Sequence, residues 1–265
     1  MYQIATVDKL IRLIMSQYPY WENNQIGNNL KQVGRLFCVE QLTKLSQPTI
    51  LEVGAGFDTF FADNFCEKTN YWMIDEAGFY DREKFDAALD RRPHSHFVDG
   101  LMGNFSVELP NDYFDMVFSV SVLEHVSIPQ VKDVCRDMLR VLKPGGISVH
   151  SIDVNKIDTI TVGWIWYMAH RRSGFKIKTQ PQLSWKMYDK PSNELLLENQ
   201  MHVYQKYGRR ENIWTDMKKL PSYTYGTILM IAEKPVKPTT QNWIGYQQIV
   251  QLRLAIRKII MLLQS

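Results

Sequence analysis

Three carboxylates stand where apolar, β-prone runs end: Glu52 in Ile50-Leu51-Glu52-Val53, Asp75 after Tyr71-Trp72-Met73-Ile74, and Asp99 after His96-Phe97-Val98. Carboxylates gathered at the carboxyl ends of neighbouring parallel strands face the crevice in which open α/β sheets bind their ligands. Their chemistry there is to accept hydrogen bonds from hydroxyl and amino groups. The first run breaks into Gly54-Ala55-Gly56, where missing Cβ atoms let the main chain approach a ligand closely and the amides that follow can face it. Asp75 follows this turn at the distance, about 20 residues, that separates a glycine turn from a ribose-binding acid in a βαβ unit; capping the next helix is its alternative role. His125, just past one apolar run, and His150, near the end of another, are the side chains suited to take a proton from a reacting hydroxyl or amine. A packing role is the alternative for each. Glu124, His125, His150 and Asp153 have no local spacing that demands a metal, and none is expected.

The elements that must position these groups read as alternating strands and helices. Strands are expected at Ile50–Val53, Tyr71–Asp75, His96–Val98, Phe114–Val120 and Ile147–Ile152, with helices over 58–65, 84–91 and from Pro129 to the Leu142-Lys143-Pro144-Gly145-Gly146 stop. Such alternation argues for a parallel sheet covered by helices on both faces. Ahead of it, residues 1–16 space Ile4, Val7, Leu10, Ile11 and Ile14 as an amphipathic helix, and 27–45 read as a second. The aromatic segment Tyr18-Pro19-Tyr20-Trp21 between them either closes over a ligand or packs the two helices together.

Length and composition exclude several classes. The chain has 265 residues, 45% hydrophobic and 22% charged, as expected of a folded globular protein with one large domain. A net charge of +3 gives no electrostatic footprint for nucleic acid. The three cysteines, Cys38, Cys66 and Cys135, are widely spaced, so neither a disulfide framework nor a zinc site is expected and a reducing cytoplasm fits. The longest apolar stretch, 159–169, falls short of the roughly 20 residues that span a bilayer.

In order along the chain, Leu51-Glu52-Val53-Gly54-Ala55-Gly56, Ile74-Asp75, Val98-Asp99-Gly100-Leu101, Phe114–Ser119 with Val122-Leu123-Glu124-His125-Val126, and Leu139–Gly146 resemble the ordered motifs of class I S-adenosylmethionine-dependent methyltransferases. The resemblance covers Ile50 to about Asp153. It implies a Rossmann-like, seven-stranded, mostly parallel sheet with helices on both faces and an antiparallel last strand, for which Gly226–Pro235 is the expected position. It further implies S-adenosylmethionine as cofactor and S-adenosylhomocysteine as product. Gly54, Ala55 and Gly56 would lie against the methionine part, Glu52 near its amino group and Asp75 on the ribose hydroxyls. Asp99 would accept from the adenine amino group, Gly100 or Leu101 would contact the ring, and Ser119 would lie under the methionine end. The family often has a glycine where this chain has Asp58, and Thr59 breaks the dinucleotide G-x-G-x-x-G pattern, which disfavours a nicotinamide enzyme.

The expected division is 1–47 as an N-terminal helical lid, 48–153 as the cofactor-binding core, 154–222 as a helical, aromatic substrate cap, 223–240 as the final strand and 241–265 as an amphipathic helix. The cap reading rests on a helix over 157–172 with Trp164, Trp166 and Tyr167, continued by Trp185, Tyr188, Trp214, Tyr223 and Tyr225; an apolar, aromatic cavity suits a small organic acceptor, and the alternative is that these side chains are core. The tail is expected to dock on the body or on a second copy in a homodimer, with peripheral membrane contact as the minority reading. The function expected is methyl transfer to an oxygen or nitrogen of a small acceptor such as a sugar or secondary metabolite, with no nucleic acid partner. The alternative is a cofactor-binding but catalytically silent interaction subunit.

Overall fold

The computed structural model describes residues 1–5, 7–17, 20, 30–56, 60–90, 94–155, 159–183 and 225–236. The described elements are β1 (Tyr2–Ile4), α1 (Val7–Ser16), α2 (Leu30–Leu42), β2 (Thr49–Val53), α3 (Phe60–Phe65), β3 (Asn70–Asp75), α4 (Arg82–Asp90), β4 (Ser95–Asp99), β5 (Phe114–Val120), α5 (Val131–Val141), β6 (Leu142–Asn155), α6 (Thr159–Ser173) and β7 (Tyr225–Glu233). Short 3-10 turns follow β3 at Ala77–Phe79 and β5 at Leu123–His125.

The seven strands form one sheet in the order β1-β7-β6-β5-β2-β3-β4. Strands β2 to β6 run parallel to their neighbours, and β7 is antiparallel to β6, in register from Ile147 opposite Glu233 to Asn155 opposite Tyr225. The chain winds outward from β2 through β3 to β4, then returns to the other side of β2 as β5 and winds outward again. The carboxyl ends of β2 and β5 are therefore where the connections part, the position at which doubly wound sheets open a crevice.

Strand pleating divides the core. Met116 and Phe118 point to the face covered by α1, α2 and α3, in a cluster with Ile50, Phe37 and Phe61, while Val117 points to the face covered by α5 and α6, in a cluster with Leu51, Met138 and Trp166. Helix α5 forms because Val131, Val134, Cys135, Met138 and Val141 make one buried stripe at helical spacing. On the opposite face Leu13 and Ile14 of α1 pack with Val33, Leu36 and Phe37 of α2.

Three expectations are corrected. Residues 1–16 are not all helix: Tyr2–Ile4 is an edge strand antiparallel to β7, with Tyr2 opposite Met230, and Tyr2 is fully buried. The outer side of β7 thus carries residues from the N-terminus, and Gln182 of the β6–β7 connection bridges Gln3 in parallel sense. The N-terminal helices are layers of the sheet, not only a lid. Helix α6, expected as part of a cap, lies beside α5 with Ile165, Trp166, Tyr167 and Ala169 buried against the sheet. Trp166 and Tyr167 are core and Trp164 packs partly buried against it, and the rest of the expected cap, 184–222, falls outside the described residues. So do Tyr18, Pro19 and Trp21 of the aromatic segment and the tail helix 241–265; Tyr20 stacks on Phe65 at 5.1 Å. Between β4 and β5 the chain crosses in turns rather than a helix.

Candidate active site

At the switch point a cavity of about 860 Å³ opens, within the range of small-molecule sites. Its walls come from the end of β2 and the turn Gly54-Ala55-Gly56, the end of β3, the Gly100–Asn104 loop, and the segment from Val120 through His125 to the start of α5 at Gln130, Asp133 and Val134.

The glycine turn needs glycine. Gly54 has φ +73° and Gly56 φ +52°, left-handed values that a Cβ disfavours, and a Cβ on Gly54 would lie 2.6 Å from Val122. The Gly54 N–H donates to Ile74 O at 2.9 Å, extending the β2–β3 ladder by one bond before the chain turns. Expected residue Asp58 lies outside the described residues.

Asp75, buried at the end of β3, accepts three hydrogen bonds: at Oδ2 from Gly56 N–H (2.8 Å) and the Tyr80 hydroxyl (2.9 Å), and at Oδ1 from Glu76 N–H (2.8 Å). It thus ties the glycine turn to β3. Burial and the bond to Asp75 push the Tyr80 phenol up to about 12, so its hydroxyl keeps its proton and donates. Glu52, also buried, lines the cavity and accepts from the Tyr71 hydroxyl.

The remaining expected residues separate into two groups. Gly100, Leu101 and His125 reach the cavity wall, His125 as an exposed side chain on the rim. Asp99 and Ser119 do not line the cavity. Asp99 is exposed, and its Oδ1 accepts from Ala77 N–H at 3.0 Å, capping the turn after β3. Ser119 is buried in the sheet.

His150 is placed away from the cavity, which corrects its reading as a base. It is fully buried on the face covered by α5 and α6; its Nδ1 bonds the Ser119 hydroxyl at 2.7 Å and its Nε2 the Ser148 hydroxyl at 2.6 Å. Burial, then the neighbouring His170, holds its pKa well below the ordinary histidine range. His170 on α6 continues the cluster, with Nδ1 at 3.0 Å from Trp166 O and at 3.6 Å from the Cys135 thiol. A histidine with both nitrogens engaged inside the sheet has no route to a proton on an acceptor. His125 and His150 lie apart, so the set with Glu124 and Asp153 does not assemble; among the described residues no group of three or more His, Cys, Asp or Glu side chains is placed to hold a metal.

Several wall residues were not anticipated. Tyr80 belongs to the aromatic pair Phe79-Tyr80 that follows the β3 acid after Glu76-Ala77-Gly78, a readable signal. Ser121, at φ +56°, puts a residue in the left-handed region on the wall, with its hydroxyl buried and unpartnered. Gly103 and Asn104 are held by a buried hub on α5: Asp137 accepts from Gly103 N–H at 2.8 Å and Phe105 N–H at 3.1 Å, while Arg140 pairs with Asp137 and donates to Leu109 O at 2.7 Å and Ser106 O at 3.1 Å. No motif marks this hub in the sequence, because its partners are main-chain groups about 30 residues upstream.

Residues 51–150 match the family model described as a methyltransferase domain. No curated protein matches the chain. Among solved structures, the [4+2]-cyclase SpnF is 19% identical, with 88% of this chain and 97% of that one covered and a TM-score of 0.52, a likeness of fold. Two others align at lower scores. Phosphoethanolamine N-methyltransferase 2 of Haemonchus contortus, in complex with S-adenosyl-L-methionine, is 14% identical over 86% of this chain and 57% of that one, at TM-score 0.49. A TehB-like methyltransferase of Corynebacterium glutamicum is 13% identical over 82% and 96%, at 0.47.

Proposed function

We propose that the chain, whose residues 51–150 match the methyltransferase-domain model, is a class I S-adenosylmethionine-dependent methyltransferase that transfers the sulfonium methyl to an oxygen or nitrogen of a small organic acceptor, such as a sugar or secondary metabolite, bound in the cavity between β2, β3 and β5. The observation that carries this reading is one cavity whose wall joins a glycine cradle, the buried carboxylates Glu52 and Asp75, and an exposed histidine on the rim.

The residues fit the cofactor. A Cβ on Gly54 would collide with Val122, both glycines of the cradle take left-handed φ, Asp75 presents a carboxylate to a diol, and the Ser121 hydroxyl is buried without a partner. When bound, the cofactor supplies an electrophilic methyl on sulfur. The chain then has to hold, align and deprotonate. Gly54–Gly56 and Glu52 hold the methionine part, Asp75 accepts from the ribose hydroxyls, and Gly100 and Leu101 flank the base. The walls exclude water and fix the acceptor, the proximity that an in-line displacement needs most. His125 takes the acceptor's proton, a contribution of roughly 10²–10⁴-fold in rate for a positioned base. A silent, cofactor-binding subunit is the second reading; it predicts binding without turnover.

The test is S-adenosylhomocysteine release against a panel of hydroxylated and amine acceptors, with cofactor binding measured in parallel. We expect turnover with at least one acceptor, a fall of kcat of about 10²-fold or more in His125→Gln, and unchanged cofactor affinity in that variant. Full rate in His125→Gln removes the histidine from the mechanism. Binding with no turnover across the panel favours the silent subunit.

A further inference from the structure

Asp75 is more fully occupied than a ribose acceptor should be. A carboxylate offers two oxygens and about four lone-pair directions. Oδ2 already takes two donors, Gly56 N–H and the Tyr80 hydroxyl, and Oδ1 takes Glu76 N–H. A vicinal diol that chelates the carboxylate brings one donor to each oxygen. Oδ1 has a direction left for it, and Oδ2 has none.

One of the present donors must therefore leave Oδ2. Gly56 N–H belongs to the turn that the β2–β3 ladder and two left-handed glycines fix in place. The Tyr80 hydroxyl ends a half-buried side chain that lines the cavity, and its oxygen lies 3.2 Å from where a Cβ on Gly56 would be, against the strip of main chain that a cofactor must approach. The ring is held over the turn by stacking on Phe85 of α4, at 5.3 Å between centroids and 7° between planes. Of the two, the phenol is the donor carried on a side chain, and its displacement leaves the β2–β3 ladder and the glycine turn intact.

We infer that the Tyr80 hydroxyl is a gate on Asp75: it occupies the ribose position of the carboxylate and is displaced when the cofactor's diol binds, so that Tyr80 lowers cofactor affinity. This rests on the reading of Asp75 as the ribose acceptor. The consequence is contrary to what removing a polar group from a binding site ordinarily does. Tyr80→Phe keeps the stack on Phe85 and deletes the competitor, so the cofactor binds more tightly. A hydrogen bond to a charged group, partly replaced by hydration of the freed phenol, corresponds to a gain of roughly three- to tenfold.

The experiment is calorimetric titration of S-adenosylhomocysteine into the full chain, as wild type, Tyr80→Phe and Asp75→Asn, with adenosine and 2′,3′-dideoxyadenosine as a second ligand pair. The inference expects tighter binding by Tyr80→Phe, loss of at least tenfold in Asp75→Asn, and a Tyr80→Phe gain seen with adenosine and absent with the dideoxy compound. Unchanged or weaker binding by Tyr80→Phe overturns the gate and leaves the ribose reading standing if Asp75→Asn has lost affinity. Wild-type affinity in Asp75→Asn overturns both. Should Asp75→Asn fail to fold, the ligand pair decides: equal gains with and without the hydroxyls overturn the gate.

Discussion

The pair of buried histidines makes stability depend on acid in a way that can be worked out. His170 is wholly buried on α6, and its pKa is lowered from 6.5 to about 4, chiefly by that burial. The unfolded chain protonates this imidazole near its ordinary value, the folded chain only near 4. Below pH 6.5 the unfolded state therefore binds more protons, and stability is lost as pH falls toward 4. A shift of this size is worth about 3 kcal/mol when fully expressed, and about 2 kcal/mol of that falls between pH 7 and pH 5. His150, shifted in the same direction by burial beside His170, steepens the slope. Urea unfolding followed by tryptophan fluorescence at pH 7, 6 and 5 measures it, with His170→Gln as control. Wild type should lose at least about 2 kcal/mol over this range, and the variant, although less stable at pH 7, should lose about 2 kcal/mol less. Equal pH slopes in the two proteins would refute the reasoning, because they would place the acid sensitivity elsewhere.

Two further outcomes follow from the cavity wall. Gly54→Ala puts a Cβ 2.6 Å from Val122 at a left-handed φ and should destabilise by about 1–3 kcal/mol while weakening S-adenosylhomocysteine binding; a wild-type melting temperature with wild-type affinity would contradict the close approach. Asp137→Asn keeps the shape of the α5 hub but weakens the acceptor for Gly103 and Phe105 N–H and leaves Arg140 without its carboxylate. A loss of about 2–4 kcal/mol is expected in denaturant unfolding, with faster hydrogen exchange at 103–105.

The parts of this fold that could be read were those whose signal is local. Strand β5 coincides with its apolar run because it is paired on both edges and packed on both faces, and the glycine turn was readable because conformations that need glycine restrict residue choice at the turn itself. Strand β1 gave no signal: three residues, Tyr2–Ile4, leading into a helical pattern have no periodicity of their own, and their partner strand is at the other end of the chain. Aromatic composition misled at α6, since Trp166 and Tyr167 suit a sheet-covering helix as well as a pocket wall. His150 was misread because strand parity, not proximity to a strand end, decides which face a side chain joins. Opposite Ser119 in register, it shares the face of Val117 and so belongs to the layer under α5 and α6.

The edge strand also has a consequence in time. Tyr2 leaves a ribosome 228 residues ahead of Met230, its partner across the sheet. At elongation rates of about 5–20 residues per second, the interval between them is roughly ten to fifty seconds. Throughout it, a tyrosine destined to be fully buried lacks its partner strand. Closure of this sheet therefore waits for nearly the whole described chain, and a nascent chain stalled before β7 would carry a doubly open edge: the outer side of β6 and an unpaired N-terminal strand able to find a neighbour's β6 instead.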